Sequence, residues 1–269
     1  RNMYPLVDEL GQPEVRVAGL RINPANFSQS RQNYINNFTL KNIASGKEYK
    51  ISGLPANLLG NSVSWSRNDK KIAFTHSTGS KVDLYVIDVA TQKATKVNKT
   101  PLNVVLGGAF SWLDDNTLLY KTVIKPASAM PKRPITPPGP TVQESYGKAA
   151  PRPTYQDMIK SPYDESLFEF FTTAQLVKNV NGVETKINQP AIYSSISASP
   201  DKKYWLVRTI RKPFSYVVPA NGFNSTIAVH DANGKFVKEI AKLPSSETAP
   251  SGSDNVADVP RGIEWRDDE

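Results

Sequence analysis

The sequence contains no cysteine and only two histidines among 269 residues. The first absence removes disulfides, zinc–thiolate sites and cysteine nucleophiles together. It leaves the compartment open, because exported bacterial proteins also often lack cysteine. No run approaches eighteen apolar residues, so no segment reads as a membrane-spanning helix. The opening residues Arg1-Asn2-Met3-Tyr4-Pro5 lead into polar sequence without a secretory signal. A chain that starts with Arg is read as a processed protein or as a piece of a longer one.

Catalytic signatures are missing too. No G-x-S-x-G turn presents a serine; residues 60–64 (GNSVS) and 251–254 (SGSD) both fail the pattern. There is no H-E-x-x-H, no P-loop and no G-x-G-x-x-G. The sequence therefore predicts no catalytic residue, no metal site and no cofactor. His76 ends an apolar strand signal and His230 sits before a turn, and both are read as structural. The adjacent carboxylates Asp114-Asp115 and Asp267-Asp268-Glu269 fall in turns, where Asp closes the backbone through its own side chain. Glycosidase chemistry would need two carboxyls facing each other across a pocket.

The formal charge is +8, from 33 Lys and Arg against 25 Asp and Glu. The basic residues are spread in pairs such as Lys70-Lys71, Lys132-Arg133, Lys202-Lys203 and Arg211-Lys212. Nucleic-acid binding needs them gathered on one face among stacking aromatics, so no nucleic-acid partner is expected. The hydrophobic fraction of 39% is low for a globular chain, but 25 Phe, Trp and Tyr residues (10, 4 and 11) supply a core.

What is present is a repeat. Residues 63–76 read VSWSRNDKKIAFTH, residues 110–120 FSWLDDNTLLY, residues 196–206 ISASPDKKYWL and residues 263–269 IEWRDDE. Each has an alternating apolar strand and a polar turn carrying Asp or Asn; where the chain continues, a second apolar strand follows. Residues 20–24 (LRINP) open with the same rhythm. Two further strand signals flank a turn after the best copy, at 81–89 (KVDLYVIDV) and 94–97, and again at 226–230 and 236–240. Four antiparallel strands recurring at roughly forty to fifty residues predict a β-propeller. The fold class is all-β: a partial β-propeller of about four four-stranded blades. A lone twisted sheet cannot cover both faces, whereas neighbours packed around an axis cover each other. Trp65, Trp112 and Trp265 hold one place in three copies and are expected to pack between blades.

Two spacings are stretched. An insert at about 125–189 opens proline-dense (PASAMPKRPITPPGP, residues 126–140) and should run extended. Two short helices are expected after it. One follows Thr154 as N-cap, and the other covers 164–171 (DESLFEFF) beyond an interrupting Pro162. The second stretched spacing, 211–224 (RKPFSYVVPANGFN), reads as a long excursion from the last full copy.

The run at 137–176 resembles the insert in the N-terminal propeller of a branch of the prolyl oligopeptidase family, the glutamyl endopeptidase-like enzymes of Bacteroidetes and plant plastids. Residues 13–24 (PEVRVAGLRINP), 106–112 (LGGAFSW) and 211–219 (RKPFSYVVP) carry the same resemblance, which runs nearly end to end. It implies that residues 1–269 are the N-terminal part of a propeller that caps an α/β-hydrolase domain with a Ser-Asp-His triad. No triad position falls in these residues, so no catalytic residue carries over. The implied partners are that hydrolase domain and peptide substrates, with self-association through open propeller edges. The implied location is periplasmic or otherwise exported. The first rival is a stand-alone propeller that binds a protein or glycan; the second is a glycan-active propeller enzyme. Among residues facing substrate, Arg208, Arg211 and Lys212 beside Phe214 and Tyr216 are the candidates, as fixed cations next to aromatics suit a peptide carboxylate.

Overall fold

A computed structural model of the chain describes residues 11–135, 155–248 and 259–266. It opens with a three-stranded sheet, β1 (Val15–Val17), β2 (Leu20–Asn23) and β3 (Ser28–Gln29), and a two-stranded one, β4 (Thr39–Lys41) and β5 (Glu48–Lys50). A four-stranded antiparallel blade follows: β6 (Gly60–Trp65), β7 (Lys71–Ser77), β8 (Val82–Asp88) and β9 (Lys93–Lys96), paired in chain order. The apolar alternation foreseen at 63–76 thus forms β6 and β7. β7 is buried almost throughout, because neighbouring elements cover both of its faces.

The next seven strands form one curled sheet: β10 (Phe110–Asp114), β11 (Thr117–Thr122), β12 (Ala174–Val180), β13 (Val183–Ala198), β14 (Tyr204–Ile210), β15 (Ser225–Asp231) and β16 (Phe236–Leu243). It is two blades sharing a strand. From Val183 to Ala191, β13 pairs with β12 as the outer strand of one blade; from Ile192 to Ala198 it pairs with β14 as the inner strand of the next. The change falls where Asn188 takes a φ of 57° and Pro190 removes a backbone donor, two features that bend a strand. β12 and the first half of β13 lie within 125–189, so that tract completes a blade as well as leaving it.

The repeated turn is closed by side chains, and identically so in two blades. Ser66 Oγ accepts from Lys71 N at 3.0 Å and Asn68 Oδ1 from Lys70 N at 3.0 Å. Ser199 Oγ accepts from Tyr204 N at 3.0 Å and Asp201 Oδ1 from Lys203 N at 3.1 Å. Asp69 and Lys202, at matching places, both have positive φ, 57° and 67°. Asp114 does the same work in the blade between, accepting from Asn116 N at 2.8 Å. Asp114 and Asp201 are turn chemistry, whereas Asp267, Asp268 and Glu269 lie outside the described residues.

Among the described residues one α-helix interrupts the strands, α1 (Pro162–Thr172). Ser161 caps it, its side chain accepting from Asp164 N, and Asp164 and Glu165 place negative charge in the first turn. Pro162, read from sequence as an interruption, is the first helical residue, where a missing N–H breaks no bond. The other expected helix is not formed at residues 155–160: Asp157 has a φ of 61°, incompatible with a helix interior. Its expected cap, Thr154, lies outside the described residues. No helix among the described residues is long and apolar enough to cross a membrane.

The tryptophans divide. Trp112 is buried against the preceding blade, as expected. Trp65 is 47% exposed. Its side of β6 has no inner strand beside it among the described residues.

Candidate functional site

The two stretched spacings turn out to be one structural place in successive blades. Each joins the second strand of a blade to the third: residues 123–173 between β11 and β12, and 211–224 between β14 and β15. They pack together with the N-terminal sheet into one aromatic layer. Phe168 meets Phe214 edge-on at 4.9 Å and Phe223 at 5.3 Å, while Phe27 lies 5.3 Å from Phe171. Backbone bonds tie the same parts, from Gly19 N to the Asp157 carbonyl at 3.0 Å and from Ala220 N to the Ala18 carbonyl at 2.9 Å. Asn103 extends the tie by donating to the Phe171 carbonyl at 2.8 Å.

A cavity of about 610 Å³ opens where these parts meet the inner strands. Its wall takes Arg21 from β2, Leu106 and Gly107 from the link into β10, Tyr155 and Asp157 from the insert, Ser194 and Ser195 from β13, Arg208 from β14 and Asn221 from the excursion. Arg208 is aimed by Ser225, whose hydroxyl accepts from its Nε at 2.9 Å. Arg21 Nε lies 3.6 Å from Asp157 Oδ2. Two guanidiniums face one carboxylate, so the lining carries positive balance. Gly107 has a φ of 61° and lies so close to the Ser194 carbonyl that a Cβ there would overlap it. Beneath this wall sits Lys121, which is 3% exposed and donates from Nζ to the Leu106 carbonyl. Burial alone pushes its pKa down to about 8.

Of the five residues expected to meet substrate, Arg208 lines the cavity. Arg211 begins the excursion, its N–H bonded to the Asn224 carbonyl at 2.8 Å, with its side chain outside. Lys212 pairs with Glu169 of α1 at 2.8 Å, and its ammonium lies 5.5 Å from the Phe214 ring centre. Phe214 is buried in the aromatic layer. Tyr216 is 41% exposed, and its phenol is pushed up to about 12 by desolvation and by its hydrogen bond to Glu165. Lys212, Phe214 and Tyr216 tie α1 to the excursion. Arg21, Asp157, Gly107 and Lys121 were not singled out from sequence as site residues. They converge from distant segments, and no spacing rule links them.

The histidines are structural in their contacts. His76 Nδ1 accepts from Leu59 N at 3.2 Å, and its pKa is lowered, chiefly by burial. His230 Nδ1 lies 3.1 Å from the Gly234 carbonyl.

The strand order, the recurring turn and the stacked sheets define a sector of a β-propeller. Over its whole length the chain is a homologue of the glutamyl endopeptidases. It is 31% identical over 283 aligned residues to the probable chloroplastic glutamyl endopeptidase of Oryza sativa subsp. japonica, and 31% identical over 282 to that of Arabidopsis thaliana. It spans 30% and 29% of those two proteins. No family model matches. Among solved structures it is similar to the acylaminoacyl peptidase of Pyrococcus horikoshii, with a TM-score of 0.44 and 14% identity over 76% of this chain and 27% of that one.

Proposed function

We propose that the chain is the non-catalytic propeller portion of a serine peptidase that cleaves peptides, and that its cavity meets the peptide on the way to a separate hydrolytic domain. The observation that carries this reading is the whole-length homology to proteins named glutamyl endopeptidase, of which the chain spans about 30%. The reading also accounts for these 269 residues holding no G-x-S-x-G turn: the chemistry sits elsewhere in the longer protein. Two guanidiniums in a partly enclosed cavity suit the carboxylates of a peptide.

Replacing Arg208 by Ala in the full-length peptidase tests the cavity. The expected result is a KM raised about tenfold with kcat held. Unchanged kinetics on every peptide would refute substrate contact there. An equal loss on peptides with Glu or Leu before the cut would deny charge recognition.

A further inference from the structure

Asp157 is held at two points close together in the N-terminal sheet. Its carbonyl accepts from Gly19 N at 3.0 Å, and its Oδ2 lies 3.6 Å from Arg21 Nε. Residues 155–158 form one rim of the cavity, and the next residue, Ile159, is buried and anchors them. The turn beneath is closely packed: a Cβ at Gly19 would lie 2.6 Å from Pro219 Cβ and 3.4 Å from Met158 Cε. Asp157 has a φ of 61°, a conformation that Asp and Asn adopt more readily than other side chains. The backbone therefore places this carboxylate at the cavity. The ion pair does not, because 3.6 Å is beyond a hydrogen bond and the two side chains are 39% and 22% exposed.

The other guanidinium is in a different state. Arg208 is fixed through Nε on Ser225, and among the described residues no carboxylate pairs with it. Its terminal nitrogens are left for a ligand carboxylate. The cavity thus holds one open cation and one already faced by an acid.

We propose that Asp157 sets the charge selectivity of this cavity: a peptide carboxylate is taken at Arg208, while Asp157 screens Arg21 and repels a second one. Discrimination of this kind needs a repulsive element beside the attractive one. The preferred ligand is a peptide segment bearing a single carboxylate. Asp157 has no part in bond cleavage; it is a specificity-determining residue. The inference rests on the reading that the cavity meets the peptide.

The test uses the full-length peptidase and peptides that differ only at two neighbouring places before the cut: Gln at both, Glu at either, or Glu at both. The native enzyme should favour one acid over none and gain nothing from the second. Asp157→Asn keeps the side-chain size and the backbone preference. It should lower KM for the two-acid peptide about fivefold, the ceiling for a partly exposed ion pair, with kcat held and the neutral peptide unchanged. Adding Arg21→Gln to that variant should remove the gain. Arg21→Gln alone leaves Asp157 bare and reads the same contact from the other side: KM should rise most for two acids, less for one and not at all for none. A uniform change across the peptides, or no change, overturns the inference. Where Asp157→Asn is silent, Arg208→Ala separates the two readings. A raised KM there keeps the cavity as the peptide's place and refutes the role of Asp157 alone, whereas unchanged kinetics refutes both.

Discussion

Lys121 offers a test of the cavity floor that needs no substrate. Its ammonium is buried beneath the Leu106–Gly107 wall and bonded to one carbonyl; among the described residues no carboxylate pairs with it. The fall from 10.5 to about 8, at about 1.4 kcal/mol for each pH unit, opposes folding by about 3 kcal/mol at neutral pH. Because the folded value lies below the unfolded one, the unfolded chain binds more protons between pH 8 and 10.5. Stability from this group therefore rises with pH across that window, and its penalty is complete below pH 8. Lys121→Met removes the penalty but leaves the Leu106 carbonyl bare, at a cost of about 1–3 kcal/mol. The two nearly offset at pH 7, so the readout is a difference. Urea unfolding of the native chain and the variant is measured from pH 7 to 10.5. The stability of the native chain relative to Lys121→Met should climb by about 3 kcal/mol across the window. Taking the difference cancels the tyrosines, which titrate in both proteins. A flat difference would refute a buried, unpaired ammonium at this place, and a falling one would reverse the argument.

Other expectations follow from named contacts. Arg67 reaches from the turn after β6 to the Pro200 and Ser199 carbonyls, at 3.1 and 3.3 Å, two blades away. Arg67→Ala should lower unfolding stability by about 1–3 kcal/mol, and an unchanged urea midpoint would show that the tie carries no weight. Asp83 is buried, which raises its pKa, but Lys96, Asn98 and Lys81 outweigh that and hold its carboxyl below the ordinary range. Its contribution is complete above about pH 4 and is lost as pH falls through the folded value. An acid titration followed by circular dichroism should show Asp83→Asn with a shallower loss than the native chain; parallel curves would contradict this.

The blades were legible because their signals are local. Within one copy the turn and the strand alternation lie within a dozen residues, as Asn68 and Phe74 do, and the other copies repeat the pattern. The helix at 164–171 was legible for the same reason, but its start was not. Pro162 breaks a helix from within and begins one equally well, and only Ser161 beside it decides which. The cavity lay beyond such reading. Arg21, Gly107, Asp157 and Arg208 are brought together by the packing of Phe168 on Phe214 and Phe223, across gaps that no periodicity spans. Lys212 and Phe214 looked like a binding pair by adjacency, yet one pairs with Glu169 and the other is buried in the aromatic layer. Trp65 shared its sequence context with Trp112; what differs is the neighbouring strand.

The most direct test of the central claim, that this propeller sector serves a peptidase, is active-site labelling with a fluorophosphonate probe. The natural full-length protein and residues 1–269 are treated side by side and read by mass spectrometry. The account predicts one labelled serine in the full-length protein, outside residues 1–269, and none in the shorter chain. A full-length product that takes up no label, or a labelled serine within residues 1–269, would contradict it.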